Sequence, residues 1–352
     1  MDYSMKDLLR ASITYKASDL HITVGVPPML RINGSFKKYP KDPLTGEDSA
    51  SLVDSIMTPD QKDRLEKVGE IDFSIAFGGF RFRVNAYMQK GYKAAALRMI
   101  NNTMRSFAEL GLPDSFRQLC MKTRGLILVT GPTGSGKSTT LASMIDFINV
   151  NRSAHIITIE DPIEYLHSHK KSIVNQREIG QDTRSFGAAL RAALRQDPDI
   201  IQVGEMRDLE TISTALTAAE TGHLVLSTLH TNNAANTIDR IVDVFPSHQQ
   251  AQVRFQLSNV LVAVISQQLL VRKDGSGRVA ALEILLQHSS ISALIREGKT
   301  HQIDNAIHTN SNLGMCLMDR SLANLYKQGI VDYNEAYSHC IDAKDFKLKA
   351  TE

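Results

Sequence analysis

The sequence predicts an α/β chain in two parts: an N-terminal α+β domain, then a larger domain with a mostly parallel sheet and a helical C-terminal region. Three observations predict this. Residues 131–138 read Gly-Pro-Thr-Gly-Ser-Gly-Lys-Ser, between an apolar run and a helical pattern. From residue 125 on, the apolar runs "GLILVT", "HIITIE", "DIIQVGE" and "HLVLSTLH" alternate with helical segments, the order of a parallel sheet flanked by helices. Before residue 100, period-two alternation surrounds Asn33-Gly34 and Gly78-Gly79, the mark of hairpins on a half-buried sheet.

In order, "LRINGSF" predicts a type I′ hairpin at Asn33-Gly34. In "IDFSIAFGGFRFRVNAYM", Ile71, Phe73, Ile75 and Phe77 share one face, as do Phe80, Phe82, Val84 and Ala86 beyond the glycines. Arg81 and Arg83 then point outward. Asn-Asn and Gly-Leu-Pro punctuation places a linker at 101–115, between a domain over 1–100 and one over 116–288. Within the second, a strand is expected at 125–130 and helices at 137–148, 186–195 and 209–221, the last closed by Gly222. A long helix is expected over 249–268, with Val253, Leu257, Val260, Leu261 and Val264 on one stripe. A hairpin follows around Asp274-Gly275, and short helices fill 289–352. No internal repeat or low-complexity segment is present.

The chain has 352 residues, of which 42% are hydrophobic, enough for two ordinary cores. A net charge of +2 makes no demand for nucleic acid or an anionic surface. The start lacks a signal-peptide core, and no apolar run is long enough to span a membrane, so a cytoplasmic chain without a membrane span is expected. The three cysteines, Cys120, Cys316 and Cys340, are far apart, so a reducing compartment and no structural zinc are expected.

The 131–138 segment fits the phosphate-loop pattern Gly-x4-Gly-Lys-Ser/Thr in its strand–loop–helix context. Residues Gly131, Pro132, Thr133, Gly134, Ser135, Gly136, Lys137, Ser138 and Thr139 are therefore expected to bind ATP. Lys137 should reach the β- and γ-phosphates, and Ser138 should hold Mg²⁺. "PDIIQVGEMRD" ends a buried run in Gly204-Glu205, so Glu205 is expected to orient or activate the attacking water, with glycine where an Asp often supports the metal. "IITIEDPIEY" supplies Glu160, Asp161 and Glu164 at a neighbouring strand end. Glu160 and Asp161 are the expected metal-supporting acids, converging with Glu205 at the carboxyl edge of the sheet. His230 ends the run "HLVLSTLH" on that same edge, and His223 begins it at the other. Arg81, Arg83 and Arg98 are either an exposed basic sheet face or a source of charge for the γ-phosphoryl group. Arg195 and Arg207 lie nearer the site in sequence.

At "GPTGSGKSTT", "ITIEDPIEY", "VGEMRDLETISTALTAAETGHLVLSTLHT" and "TIDRIVDVFP" the chain resembles the secretion ATPases of type II secretion and type IV pili. The likeness runs nearly end to end, from "ASDLHITVGVPPMLRINGS" to "LIREGKTHQI". It implies a PAS-like N-terminal domain, a RecA-like P-loop ATPase domain and a homohexameric ring. It further implies that "ITIEDPIE" with Glu164 is an Asp box, that Glu205 is the catalytic glutamate of an atypical Walker B, and that His223 and His230 form a His box. By the same resemblance Arg81, Arg83 and Arg98 reach the nucleotide. The implied partners are an inner-membrane pilus platform protein and an accessory retraction ATPase, with no nucleic acid, at the cytoplasmic face of the membrane.

Extension and type II secretion ATPases usually add an N-terminal domain and a four-cysteine zinc module. This chain starts at the PAS-like domain and has no paired cysteines, which favours the retraction branch and its twitching motility. Where retraction motors carry Ala-Ile-Arg-Asn-Leu-Ile-Arg-Glu, this chain has Ser-Ile-Ser-Ala-Leu-Ile-Arg-Glu at 290–297. An accessory retraction paralogue is the alternative there. Ile291, Leu294 and Ile295 have helical spacing, and Leu294, Ile295, Arg296 and Glu297 are expected to couple nucleotide state to the pilus machinery. A RecA-like nucleic-acid motor is the rival from another class, and it requires a locally basic channel. No Asn-Lys-x-Asp motif points to GTP.

Overall fold

A computed structural model describes residues 3–100 and 104–351. They form two compact units. The first takes in the described residues up to Ile100 together with Glu164–Leu166, and the second those from Met104 to Ile163 and from His167 on.

The first unit runs α1 (Met5–Thr14), β1 (Asp19–Ile22), β2 (Met29–Ile32), β3 (Ser35–Lys38), α2 (Gly46–Asp54), α3 (Pro59–Val68), β4 (Glu70–Phe77), β5 (Phe80–Gln89) and β6 (Tyr92–Ile100). Its six strands form one sheet in the order β3-β2-β1-β6-β5-β4. Neighbours are antiparallel throughout. Both predicted hairpins are present. Asn33 and Gly34 have φ of 49° and 80°, as a type I′ turn requires. Phe82, Val84 and Ala86 are wholly buried against Leu8, Leu52 and Leu65 of the three helices, while Arg83 between them is exposed. The helices start on capping boxes at Ser4, Thr45 and Thr58, each answered three residues on by an acid or an amide.

The second unit begins with α4 (Phe107–Leu110) and α5 (Ser115–Cys120), inside or next to the span read as linker. Phe107, Leu112 and Phe116 are buried in the core of this unit. Then come β7 (Gly125–Thr130), α6 (Lys137–Asn151), β8 (His155–Glu160), β9 (Ile173–Glu178), α7 (Phe186–Ala193), β10 (Ile200–Val203), α8 (Leu209–Glu220) and β11 (Leu224–Leu229). The chain continues as α9 (Ala234–Asp243), α10 (Ser247–Val260), β12 (Leu261–Val271), β13 (Arg278–Leu286), α11 (Ser289–Glu297), α12 (Ile303–Thr309), α13 (Met318–Lys327), α14 (Tyr333–Ser338) and α15 (Ala343–Thr351). The sheet order is β13-β12-β7-β11-β10-β8-β9. All pairs are parallel except β12 with β13.

Both faces of this sheet are covered, which is why its central strands read as unbroken apolar runs. Leu126, Leu128, Ile157 and Val203 pack with α7 to α11 on one face. Ile127, Val129, Ile156 and Leu226 pack with α4, α5 and α6 on the other. A smaller core joins Leu270 and Ala281 of the β12–β13 hairpin to Leu322 and Phe346 of the last helices.

One expectation is overturned. The long helix predicted over 249–268 ends at Val260, and the chain crosses the sheet as β12 instead. Val253, Leu257 and Val260 do form a helical stripe. From Val260 to Ile265 every residue is apolar, so any period fits, and the β-branched Val and Ile favour a strand buried between β7 and β13.

Candidate nucleotide site

Strands β7, β11, β10 and β8 are adjacent and parallel, so their carboxyl ends share one edge. That edge carries the loop after Thr130, His230 after β11, Gly204-Glu205 after β10, and Glu160-Asp161 at the end of β8. The convergence expected from the sequence is thus a consequence of topology.

The loop joins a fully buried strand to the fifteen-residue helix α6. Gly131 has φ of 141° and Gly136, the helix N-cap, 90°. L side chains rarely adopt either conformation. Space excludes them too: a Cβ at Gly131 would meet the Gln267 carbonyl oxygen at 2.2 Å, and one at Gly136 the Gln267 amide nitrogen at 2.8 Å. No side chain caps α6, so its first N–H groups and the positive end of its dipole are offered to an anion. Lys137, 8% exposed, donates from Nζ to the carbonyls of Gly131 (2.8 Å) and Pro132 (2.9 Å), which aims the ammonium across the loop. Thr130 is tied to the next strand by Oγ1 donating to Ser266 Oγ at 2.9 Å. Gln267 of β12 donates to the Ser135 carbonyl at 2.7 Å and accepts from the Thr140 hydroxyl at 2.8 Å.

Glu205 is held at the next strand end. Its carboxylate lies 2.7 Å from Arg207 Nε and 3.5 Å from His230 Nε2. The turn carrying it is fixed by Gly204 N–H donating to the Ile159 carbonyl at 2.8 Å and by Thr228 Oγ1 donating to the Gly204 carbonyl at 2.6 Å. A Cβ at Gly204 would come 3.1 Å from the Ile159 oxygen and 3.3 Å from the Phe186 ring. Glycine in place of the usual acid therefore fits a tight site.

Glu160 accepts from Thr158 Oγ1 (2.6 Å) and Gln176 Nε2 (3.1 Å). Asp161 and Glu164 are exposed, Glu164 in the short segment that groups with the first unit. Among the described residues no three His, Cys, Asp or Glu side chains gather as metal ligands. The oxygen donors at this edge suit Mg²⁺ all the same, because that ion usually keeps several waters and uses one or two protein ligands plus phosphate. His223 is not brought to this edge. It precedes the six-residue strand β11 that His230 follows, roughly 20 Å away at strand rise, and its Nδ1 lies 3.0 Å from the Ala218 carbonyl.

The arginines of the first unit are on its sheet. Arg98 Nε donates to Asp19 Oδ1 at 2.9 Å, yet its side chain is 72% exposed. Burial works against the Asp19 carboxylate, but the Ser18 hydroxyl and the Arg98 guanidinium hold it below the usual range. Arg83 faces Asp72 at 3.9 Å, and Arg81 is half-buried.

Two contributors were missed by sequence reasoning. Glu178 on β9 is buried and accepts from the Ile163 N–H at 3.0 Å, pinning the turn that follows Glu160-Asp161. A buried acid in an edge strand breaks the apolar alternation that would have marked β9. Gln267 was hidden by the helix expected over its span.

A phosphate loop at the carboxyl edge of a parallel sheet, with a carboxylate at the neighbouring strand end, makes this unit a P-loop ATPase. The chain belongs to the type II/IV secretion system protein family, whose model matches residues 3–305. It is 50% identical to the type IV pilus retraction ATPase PilT of Pseudomonas aeruginosa, covering 94% of this chain and 96% of that protein. With the type IV pilus ATPase PilU of the same organism it shares 42%, over 97% of this chain and 90% of that one. Among solved structures, the pilus retraction motor PilT with bound ADP superposes with a TM-score of 0.92 at 52% identity, covering 99% of this chain and all of that one.

Proposed function

We propose that this chain is a motor ATPase that couples ATP hydrolysis to retraction of type IV pili and so to twitching motility. The near end-to-end likeness to pilus retraction ATPases carries this reading. The edge that joins the P-loop, Glu205 and His230 supplies the chemistry.

In this reading the loop N–H groups and Lys137 bind the β- and γ-phosphates, and the α6 dipole adds to their attraction. Ser138, Glu160 and Asp161 would hold Mg²⁺, which would supply positive charge against the phosphate oxygens. Glu205 orients the attacking water and takes its proton, with Arg207 and His230 fixing the carboxylate. Arg81, Arg83 and Arg98 bring positive charge to the γ-phosphoryl group across a domain or subunit boundary, and Glu164 belongs to the same acidic box. His223, bonded to its own helix end, has no role in the hydrolytic step in this reading. The working form is a homohexamer engaging an inner-membrane platform protein at the cytoplasmic face and acting beside an accessory retraction ATPase. Among the described residues no helix is long and apolar enough to cross a membrane.

Deletion of the gene tests this. Abundant surface pili without twitching are the expected result, and loss of pili would instead mark an extension motor. A second reading, an accessory retraction paralogue, is favoured by Ser290, Ser292 and Ala293 standing where retraction motors have Ala, Arg and Asn. Expression in a strain lacking its own retraction motors separates the two, because only a principal motor restores twitching alone.

A further inference from the structure

We propose that Gln267 is a positioning residue for the phosphate loop, setting the direction of the N–H groups that receive the nucleotide. This rests on the nucleotide-binding reading of that loop. Gln267 lies on β12, the strand beside β7, one residue past the pair that matches Ser266 to Thr130. Its side chain is 3% exposed, and both ends of its amide are used. The NH₂ group donates to the Ser135 carbonyl at 2.7 Å, and the amide oxygen accepts from Thr140 Oγ1 at 2.8 Å.

The consequence follows from peptide geometry. In a trans peptide the C=O and the next N–H point in opposite directions. With the Ser135 carbonyl held toward β12, the N–H of Gly136 is turned away from the sheet, to the side where α6 begins and phosphate docks. The bond to Thr140 fixes the first turn of α6 to the same amide, so loop and helix start share one anchor. Gly131 and Gly136 are the loop residues whose Cβ atoms would strike Gln267. At Gly131 the atom in the way is the backbone carbonyl oxygen of Gln267, and at Gly136 it is the Gln267 side-chain amide, so the glutamine side chain itself calls for glycine at Gly136. A buried glutamine is suited to this: it presents a donor and an acceptor at once, without the desolvation cost of a charge.

Gln267→Met keeps length and volume and removes both bonds. It is expected to raise the Kd for ADP and the KM for ATP about fivefold or more, each bond to a backbone or hydroxyl partner being modest alone. Turnover at saturating ATP should fall less than affinity, since Glu205 and His230 are untouched. Thr140→Val removes one bond and should raise both constants about twofold to threefold. Gln267→Glu, which retains the acceptor but sets an oxygen against the Ser135 carbonyl, should not rescue binding. A purely structural role would lower the melting temperature and leave the affinity of the folded protein unchanged, and that outcome would overturn the proposal. Should Gln267→Met fail to fold, an unaltered ADP affinity in Thr140→Val would overturn it instead. If the unaltered protein binds no ADP, the nucleotide reading of the loop falls first and the role of Gln267 with it.

Discussion

Oε2 of Glu205 lies 3.5 Å from Nε2 of His230. The contact is made across two adjacent parallel strands, with Val203, the last residue of β10, paired to Ser227, two residues before the end of β11. A water activated by Glu205 would sit against the P-loop with His230 at its flank. Glu205→Gln keeps the shape and the bond to Arg207 but loses the basicity. Turnover is expected to drop by about 10² or more, the usual worth of a positioned base, with ATP affinity unchanged. His230→Asn should lower turnover less. Steady-state ATPase assays beside equilibrium binding of a fluorescent nucleotide measure both effects, and parallel loss of binding in Glu205→Gln would contradict the assignment.

Lys137 presents a different failure. Its ammonium holds the carbonyls of Gly131 and Pro132, so Lys137→Ala removes the phosphate charge and also releases the loop. Affinity for ATP is expected to fall about tenfold or more, along with turnover, as removal of a charge-assisted contact requires. Isothermal titration with ATP and Mg²⁺ reads this directly. Affinity at the level of the unaltered protein would show that the loop backbone alone carries binding.

Arg83 and Arg98 of the first unit are paired with acids yet keep side chains that are 48% and 72% exposed. Exposed pairs such as Arg83 with Asp72 contribute about 0–1 kcal/mol, so removing them should cost little stability. If one of Arg81, Arg83 or Arg98 serves the γ-phosphoryl group, its change to Ala should cut turnover about 10³-fold. The melting temperature should be nearly unchanged for Arg83, whereas Arg98→Ala also takes a partner from the buried Asp19. Asp19→Asn controls for Arg98, since it breaks the same ion pair and leaves the guanidinium. Full ATPase activity in all three arginine variants would remove the first domain from catalysis.

A pH dependence of stability is expected from Glu283. Burial on β13 pushes its carboxyl up to about 7, in part offset by the Ala234 N–H bonded to it, with Asp304 and Asp319 adding repulsion. These groups line a cavity of about 450 Å³ with His308, Asp345 and Lys349. Asp304 and Asp319 are raised as well, burial being the main cause in each. The folded protein keeps a proton that the unfolded chain loses near 4.5. This contribution is therefore full below about pH 4.5 and is lost as pH rises through about 7, a change of roughly 3 kcal/mol at most. Glu283→Gln, neutral at every pH, should flatten that part of the curve and be the more stable form at pH 8. Thermal melts from pH 5 to 8 check it.

The alternation of buried strands with amphipathic helices was legible in the sequence because each central strand is apolar on both faces. The two hairpins were legible because Asn33-Gly34 and Gly78-Gly79 state their turns. The P-loop, Glu205 and His230 were legible because residues at strand ends fall on one edge once the strands are parallel. What failed was identity of period where no polar residue marks a face, as at 260–265. Also hidden were side chains whose work depends on a neighbour distant in sequence. Gln267 acts on Ser135 and Glu178 on Ile163, and neither is part of a local pattern.

The segment at 290–297 separates packing from coupling. Ile291 and Ile295 are each 1% exposed in the core shared with Val253 and Leu257 of α10, so the apolar stripe is used in folding. Leu294 is half-buried at its rim. Ser292, where retraction motors have Arg, donates to the Ser258 carbonyl at 2.9 Å and adds to that packing. Arg296 and Glu297 are exposed at the helix end, and Glu297 pairs with Lys299 at 2.7 Å between half-exposed side chains. Changing both to Ala removes an exposed ion pair worth about 0–1 kcal/mol, so folding should be nearly unaffected. If this corner transmits nucleotide state to the pilus machinery, Arg296→Ala with Glu297→Ala should retain ring assembly and ATP binding while twitching stops. Such coupling would proceed through a rigid-body movement of the domain rather than contact with ATP. Melting temperature, oligomer size, ATPase rate and twitching, measured together on the double variant, decide it. Normal twitching would remove the coupling role, and a collapsed melting temperature would show that the corner belongs to the packing of α11.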